Sequence, residues 1–132
     1  TCLRLLNIAD PDSPAIQRAL AFLRRTQNAD GSWGDGEALN AALALLGLAS
    51  IQNPDAGESD FIQAERALDY LKQSQESDRA WPSGLFIRME LGRAQGQIQR
   101  VLSYGSRTIT TSFVLKAALA WHRRISPPLA TG

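Results

Sequence analysis

The sequence predicts an all-α protein built from stacked helical hairpins. Three observations carry this expectation. Four segments show apolar residues at helical spacing, amphipathic and wholly apolar segments alternate along the chain, and the two amphipathic segments are copies of each other.

Residues 15–27, AIQRALAFLRRTQ, place Ile16, Ala19, Leu20 and Leu23 on one stripe, which Phe22 widens, and Gln17, Arg18, Arg24 and Arg25 on the other face. The preceding DSP supplies a cap in Asp12 or Ser13, and Pro14 suits the first helical position. Residues 37–51 differ in kind. Between Glu37 and Ser50 the only strongly polar side chain is Asn40, so this helix is expected inside a layer of other helices. Residues 61–75 return to the one-sided pattern, with Ala64, Ala67, Leu68, Leu71 and Tyr70 on the apolar side. Residues 108–123 are again mostly apolar, interrupted mainly by Lys116, and are expected to be buried.

The connection from Ala80 to Arg107 is far longer than the roughly 2–8 residues usual between helices. Within it, residues 85–91 and 97–104 alternate in the manner of strands around GRAQG. They read as a β-hairpin, with an irregular loop as the alternative. The domain is expected to span residues 1–124, with 125–132 as a tail or linker. Thr1–Asn7 read as the end of a further inner helix, and the start at Thr1 as that of a piece of a longer protein.

Composition narrows the function classes. A formal net charge of +1, with the basic residues scattered, argues against a nucleic-acid surface. The single cysteine, Cys2, cannot form an internal disulfide, which favours a reducing, cytoplasmic setting. No apolar run reaches the ~20 residues that span a bilayer.

The copies align without a gap at an offset of 48 residues, RALAFLRRTQNADGSW (18–33) on RALDYLKQSQESDRAW (66–81). Seven of the sixteen positions are identical. The shared order is basic residue, small residue, two spacers, aromatic, aliphatic, three spacers, glutamine, a short run, glycine, one spacer, tryptophan. Arg18, Ala19, Phe22, Leu23, Gln27, Gly31 and Trp33 fit every position. Arg66, Ala67, Tyr70, Leu71, Gln75 and Trp81 fit the second copy, where Arg79 replaces the glycine. This pattern resembles the QW motif of the squalene-hopene cyclase, oxidosqualene cyclase and protein prenyltransferase superfamily. The resemblance is strongest over residues 13–81 and weaker over 105–121.

The motif makes physical sense as a clasp between outer helices. The glutamine amide satisfies backbone groups left over at a helix end, glycine permits the positive φ that reverses the chain, and the tryptophan folds back onto the glutamine and the neighbouring repeat with its indole N–H on an acceptor. Gln27, Gly31, Trp33, Gln75 and Trp81 are therefore expected to be structural. With Arg79 in place of glycine, the second turn is expected to differ in shape, because a left-handed residue costs roughly 1–2 kcal/mol.

The resemblance implies an α/α toroid and a hydrophobic cavity for a polyprenyl or triterpene-type lipid such as squalene, with cyclisation started by the acid of a DxDD-type motif. That motif is absent here. Asp10, Asp12 and Asp60 stand at helix starts and read as caps, and Asp30 as a turn residue. Cys2 and His122, each the only residue of its kind, lie at opposite ends of the chain and do not suggest the zinc site of the prenyltransferases. No catalytic residue, metal or cofactor is assigned. The resemblance puts substrate at one end of the inner helices, where Glu37, Asn40, Tyr104, Arg107, Thr110, Thr111 and Phe113 are the candidates, with capping and core packing as their alternative. The expected partners are such a lipid, the rest of a parent protein or a self-associated copy, with peripheral membrane contact accompanying the lipid. The alternative function is a non-catalytic lipid- or protein-binding scaffold that reuses the repeat.

Overall fold

The computed structural model describes residue 10, residues 13–49 and residues 58–125. They form α1 (Pro14–Thr26), α2 (Ala38–Ala49), α3 (Glu58–Ser74), β1 (Ile87–Ala94), β2 (Gln97–Tyr104) and α4 (Arg107–Ile125). The architecture is mainly α with one small antiparallel hairpin. The expectations placed on Thr1–Asn7, Cys2, Asp12, residues 50–51 and the tail beyond Ile125 lie outside the described residues.

Helix α1 starts as its sequence dictates. Ser13 Oγ accepts the Ala15 N–H at 3.3 Å and Pro14 takes the first turn. Ile16 and Leu20 are buried, whereas Phe22 does not join the core and is 55% exposed. Helix α2 is buried nearly all round, including Ala38, Leu39, Ala41, Ala42, Ala44, Leu45, Gly47 and Leu48. It packs most extensively on α4 and also touches α1 and α3. Its alanines and Gly47 suit this position, because small side chains let neighbouring helices approach closely.

Helix α4 corrects the expectation of a wholly buried helix. Thr110, Val114, Ala117 and Trp121 face the core, while Leu115 and Leu119 on the opposite side are half-exposed. An apolar face shows a tolerance for burial, and burial also needs a neighbour. Asp60 does more than its reading as a cap gave it: it lies in the first turn of α3 and reaches another helix. Its carboxylate receives Arg24 of α1 in a two-pronged contact, Nε to Oδ1 at 2.7 Å and Nη2 to Oδ2 at 2.8 Å. This pair links α1 to α3 across 36 residues of sequence. Asp60 is only 6% exposed, so Asp60→Asn is expected to cost about 1.5–3 kcal/mol, the range for hydrogen bonds to charged groups. A double-mutant cycle with Arg24→Met checks it, and a coupling near zero would rule the pair out as a tie.

The hairpin turns through Gln95 and Gly96 alone, both at positive φ (54° and 78°), the signature of a two-residue type I′ connection. The strand β1 therefore continues through residues 92–94, where the sequence pattern suggested loop. In the register Ile87↔Tyr104, Met89↔Leu102 and Leu91↔Arg100, cross-strand partners share a face, so Ile87, Met89, Leu91, Ile98, Leu102 and Tyr104 lie on one mostly apolar face, with Arg93 and Arg100 at its turn end. Arg88 and Glu90 pair at 3.4 Å on the other. At the root of the hairpin Phe86 N–H donates to Tyr104 O at 2.9 Å. No helix among the described residues is long and apolar enough to cross a membrane.

Candidate functional site

The two clasps share a common set of bonds. Gln27 Nε2 donates to Gly31 O at 3.1 Å, and Gln75 Nε2 to Arg79 O at 2.8 Å. Trp33 Nε1 donates to Leu23 O at 2.9 Å, and Trp81 Nε1 to Leu71 O at 2.7 Å. The backbone bonds Asn28 N to Ser32 O and Gly31 N to Asn28 O recur as Glu76 N to Ala80 O and Arg79 N to Glu76 O. Even the aspartate turn recurs, Ser32 N on Asp30 Oδ1 at 2.9 Å and Ala80 N on Asp78 Oδ1 at 3.1 Å. Each of these groups has its counterpart 48 residues away.

The second turn therefore keeps the shape of the first, against the expectation drawn from Arg79. Gly31 has φ 94° and Arg79 has φ 67°, so arginine holds the left-handed conformation itself. The closed set of loop bonds outweighs a strain of roughly 1–2 kcal/mol. The indole N–H of each tryptophan bonds within its own repeat, tying loop to helix end, where a tie to the neighbouring repeat was expected. The crossing contact comes from the glutamine: Gln27 Nε2 also donates to Gln63 O of α3 at 2.9 Å, and Gln63 Nε2 returns a bond to Arg24 O at 3.0 Å.

Charge in the first loop is organised by the same bonds. The Ser32 hydroxyl and its backbone N–H hold the Asp30 carboxyl below the usual carboxylate range. Burial, followed by the Asp30 and Glu37 carboxylates, pushes the Tyr70 hydroxyl up, and that hydroxyl donates to Gly36 O. In the second loop Arg107 reaches both Asp78 oxygens at 2.8 Å and Glu76 at 3.1 Å, holding the Asp78 carboxyl low.

Most of the candidate substrate residues meet along the segment that enters the hairpin. Thr111 Oγ1 accepts Trp81 N–H, Thr110 Oγ1 accepts Gly84 N–H, and Glu37 Oε2 accepts Leu85 N–H, each at 3.1 Å. Phe113 stands beside Phe86 with ring centroids 6.1 Å apart, and Tyr104 sits at the exposed hairpin root. These contacts anchor the linker. The cap of α4 is Ser106, whose Oγ accepts Thr108 N–H at 3.2 Å, a role the sequence reading did not assign.

Asn40 goes elsewhere. With Phe22, Leu23, Thr26, Asn28, Trp33, Gly34, Leu43, Ala44 and Gly47 it lines a groove of about 840 Å³ between α1 and α2. No charged side chain lines it. The sequence carried a signal for this groove in the spacing of Phe22 and Thr26 on α1 and of Asn40, Leu43, Ala44 and Gly47 on α2, which puts each set on one helix face. Among the described residues, no three His, Cys, Asp or Glu side chains come together as a metal site. No family model matches the chain, and no curated protein matches it.

Proposed function

We propose that this chain is a terpenoid-cyclase-like repeat segment of an α/α toroid. It supplies part of the wall of a hydrophobic cavity for a polyprenyl or triterpene-type lipid and is not catalytic alone. The observation that carries the lipid reading is the α1–α2 groove. Its volume falls in the range of roughly 300–1,000 Å³ typical of small-molecule sites. Its lining is mainly apolar and aromatic, with Asn28, Asn40 and Thr26 as its polar side chains and no charged one, so a hydrocarbon chain enters without stranding a charge. The toroid reading is supported by the duplicated clasp, because identical hairpins stacked with a constant step curve into a superhelix or ring. The acid that starts a cyclisation would come from a segment outside this sequence.

Trp33 reports on the groove. Titrating the protein with squalene or a polyprenyl alcohol in detergent is expected to give a saturable change in tryptophan emission. Leu43→Arg, which puts a charge on the groove wall, is expected to abolish it while circular dichroism stays unchanged. An absence of response at saturating lipid would remove the cavity reading. A scaffold function is the second reading, and the hairpin favours it: Ile87, Met89, Leu91 and Ile98 remain 42–47% exposed on one face.

A further inference from the structure

We propose that the front of α1 is a docking surface for the clasp loop of a preceding repeat that carries glycine at its left-handed position, and that the opposite end of the stack is closed to a following one. The inference rests on the repeat geometry and stands apart from the lipid reading.

The interface between the two repeats shows how such docking works. The first clasp loop lies against α3: Gln27 donates to Gln63 O, and the Tyr70 hydroxyl donates to Gly36 O. Gly31 sits so close that a Cβ there would stand 2.3 Å from Arg66 O. The receiving residues on α3 are thus Gln63, Arg66, Ala67 and Tyr70. Forty-eight residues earlier, α1 presents Ala15, Arg18, Ala19 and Phe22. Arginine and alanine are identical, and Phe22 keeps the ring of Tyr70. What Gln63 gives to the clasp is its backbone carbonyl, which Ala15 also has. In the second repeat the ring is half-buried against the first; in the first it is 55% exposed. The α1 surface repeats the α3 receptor, and among the described residues no clasp loop occupies it. Phe22 also lines the groove, so a loop docked on its ring would border the groove.

The other end is built differently. Arg79 occupies the position of Gly31 on a backbone of the same conformation, and it is exposed. A further outer helix placed on this loop as α3 is placed on the first would bring a carbonyl oxygen to about 2.3 Å from the Arg79 Cβ, inside van der Waals contact. The stack therefore has polarity: its front accepts a clasp and its back refuses one. A second copy of this chain cannot extend it head to tail, because that copy would offer Arg79 where glycine is needed.

Arg79→Gly converts the second loop into the required probe. Unlabelled Arg79→Gly protein, added to ¹⁵N-labelled wild type, is expected to shift the amides of residues 15–22 and to bind at least tenfold more tightly than unlabelled wild type. Phe22→Glu in the labelled protein, a change at an exposed ring, is expected to abolish the shifts. Three results would overturn the proposal: no shifts with the Arg79→Gly probe, equal shifts with wild type, or shifts confined to the hairpin. The Trp33 lipid response is read separately, so loss of either reading leaves the other standing.

Discussion

Gly31→Ala is expected to lower stability by about 2–5 kcal/mol, whereas Arg79→Gly at the equivalent position is expected to raise it by no more than about 1.5 kcal/mol. Two costs add at Gly31. Alanine must hold a φ of 94°, in a region that costs an L-residue about 1–2 kcal/mol. Its Cβ must also displace the α3 backbone, since Arg66 O would lie 2.3 Å away and the Arg66 carbonyl carbon 2.6 Å away, at an overpacking cost of about 1–3 kcal/mol. A backbone carbonyl in a helix cannot rotate aside, so the strain spreads to the Gln27–Gln63 and Arg24–Asp60 ties. At Arg79 only the conformational cost exists, and the greater freedom of glycine in the unfolded chain takes back about 0.5–1 kcal/mol of its relief. Urea unfolding of the two variants beside wild type measures both. Equal small effects would mean that the α1–α3 contact is loose and that φ alone placed glycine in the first loop.

The same comparison shows what the sequence could convey. The repeated loop was legible because its pattern is local in the sequence, whereas the tie to the next helix expected of the tryptophan is made by Gln27 on Gln63 O, and each indole N–H bonds ten residues back in its own repeat. The alternation of amphipathic and apolar helices was legible for the same reason. The shape of the second turn was not, because the left-handed penalty at Arg79 is small beside the closed set of bonds that holds the loop. The role of Asp60 was hidden because its partner lies 36 residues away, and a carboxylate near a helix start has an ordinary local use as a cap. Phe22 and the Leu115–Leu119 face of α4 expose the remaining limit, since periodicity marks which face is apolar and does not say what lies beside it. Thr110 and Thr111 lie in the first turns of α4, and Glu37 directly precedes α2. Their binding of the 81–85 backbone depends on how a long insertion returns to the helices, which no local pattern records.

Trp121→Ala is expected to cost about 3–5 kcal/mol, a large share of the roughly 5–15 kcal/mol that holds an ordinary domain. Trp121 is 1% exposed, and its Nε1 donates to Leu45 O of α2 at 2.9 Å across 76 residues of sequence. Its ring meets Phe61 of α3 edge to face, with centroids 6.0 Å apart and planes at 75°. One side chain thus ties α4 to both α2 and α3, and the α2–α4 contact is the most extensive between helices. Trp121→Phe separates its two contributions. It keeps most of the packing and removes the indole bond, and since the Leu45 carbonyl lies within a helix the loss should be about 1 kcal/mol from the bond plus a smaller packing term. The ratio of the two losses, read from urea or thermal unfolding, tests the assignment. If phenylalanine costs as much as alanine, the hydrogen bond rather than the ring holds α2 and α4 together. If alanine costs under about 1 kcal/mol, the ring lies in space that can collapse, and the α2–α4 pair must be held by its alanine-lined seam.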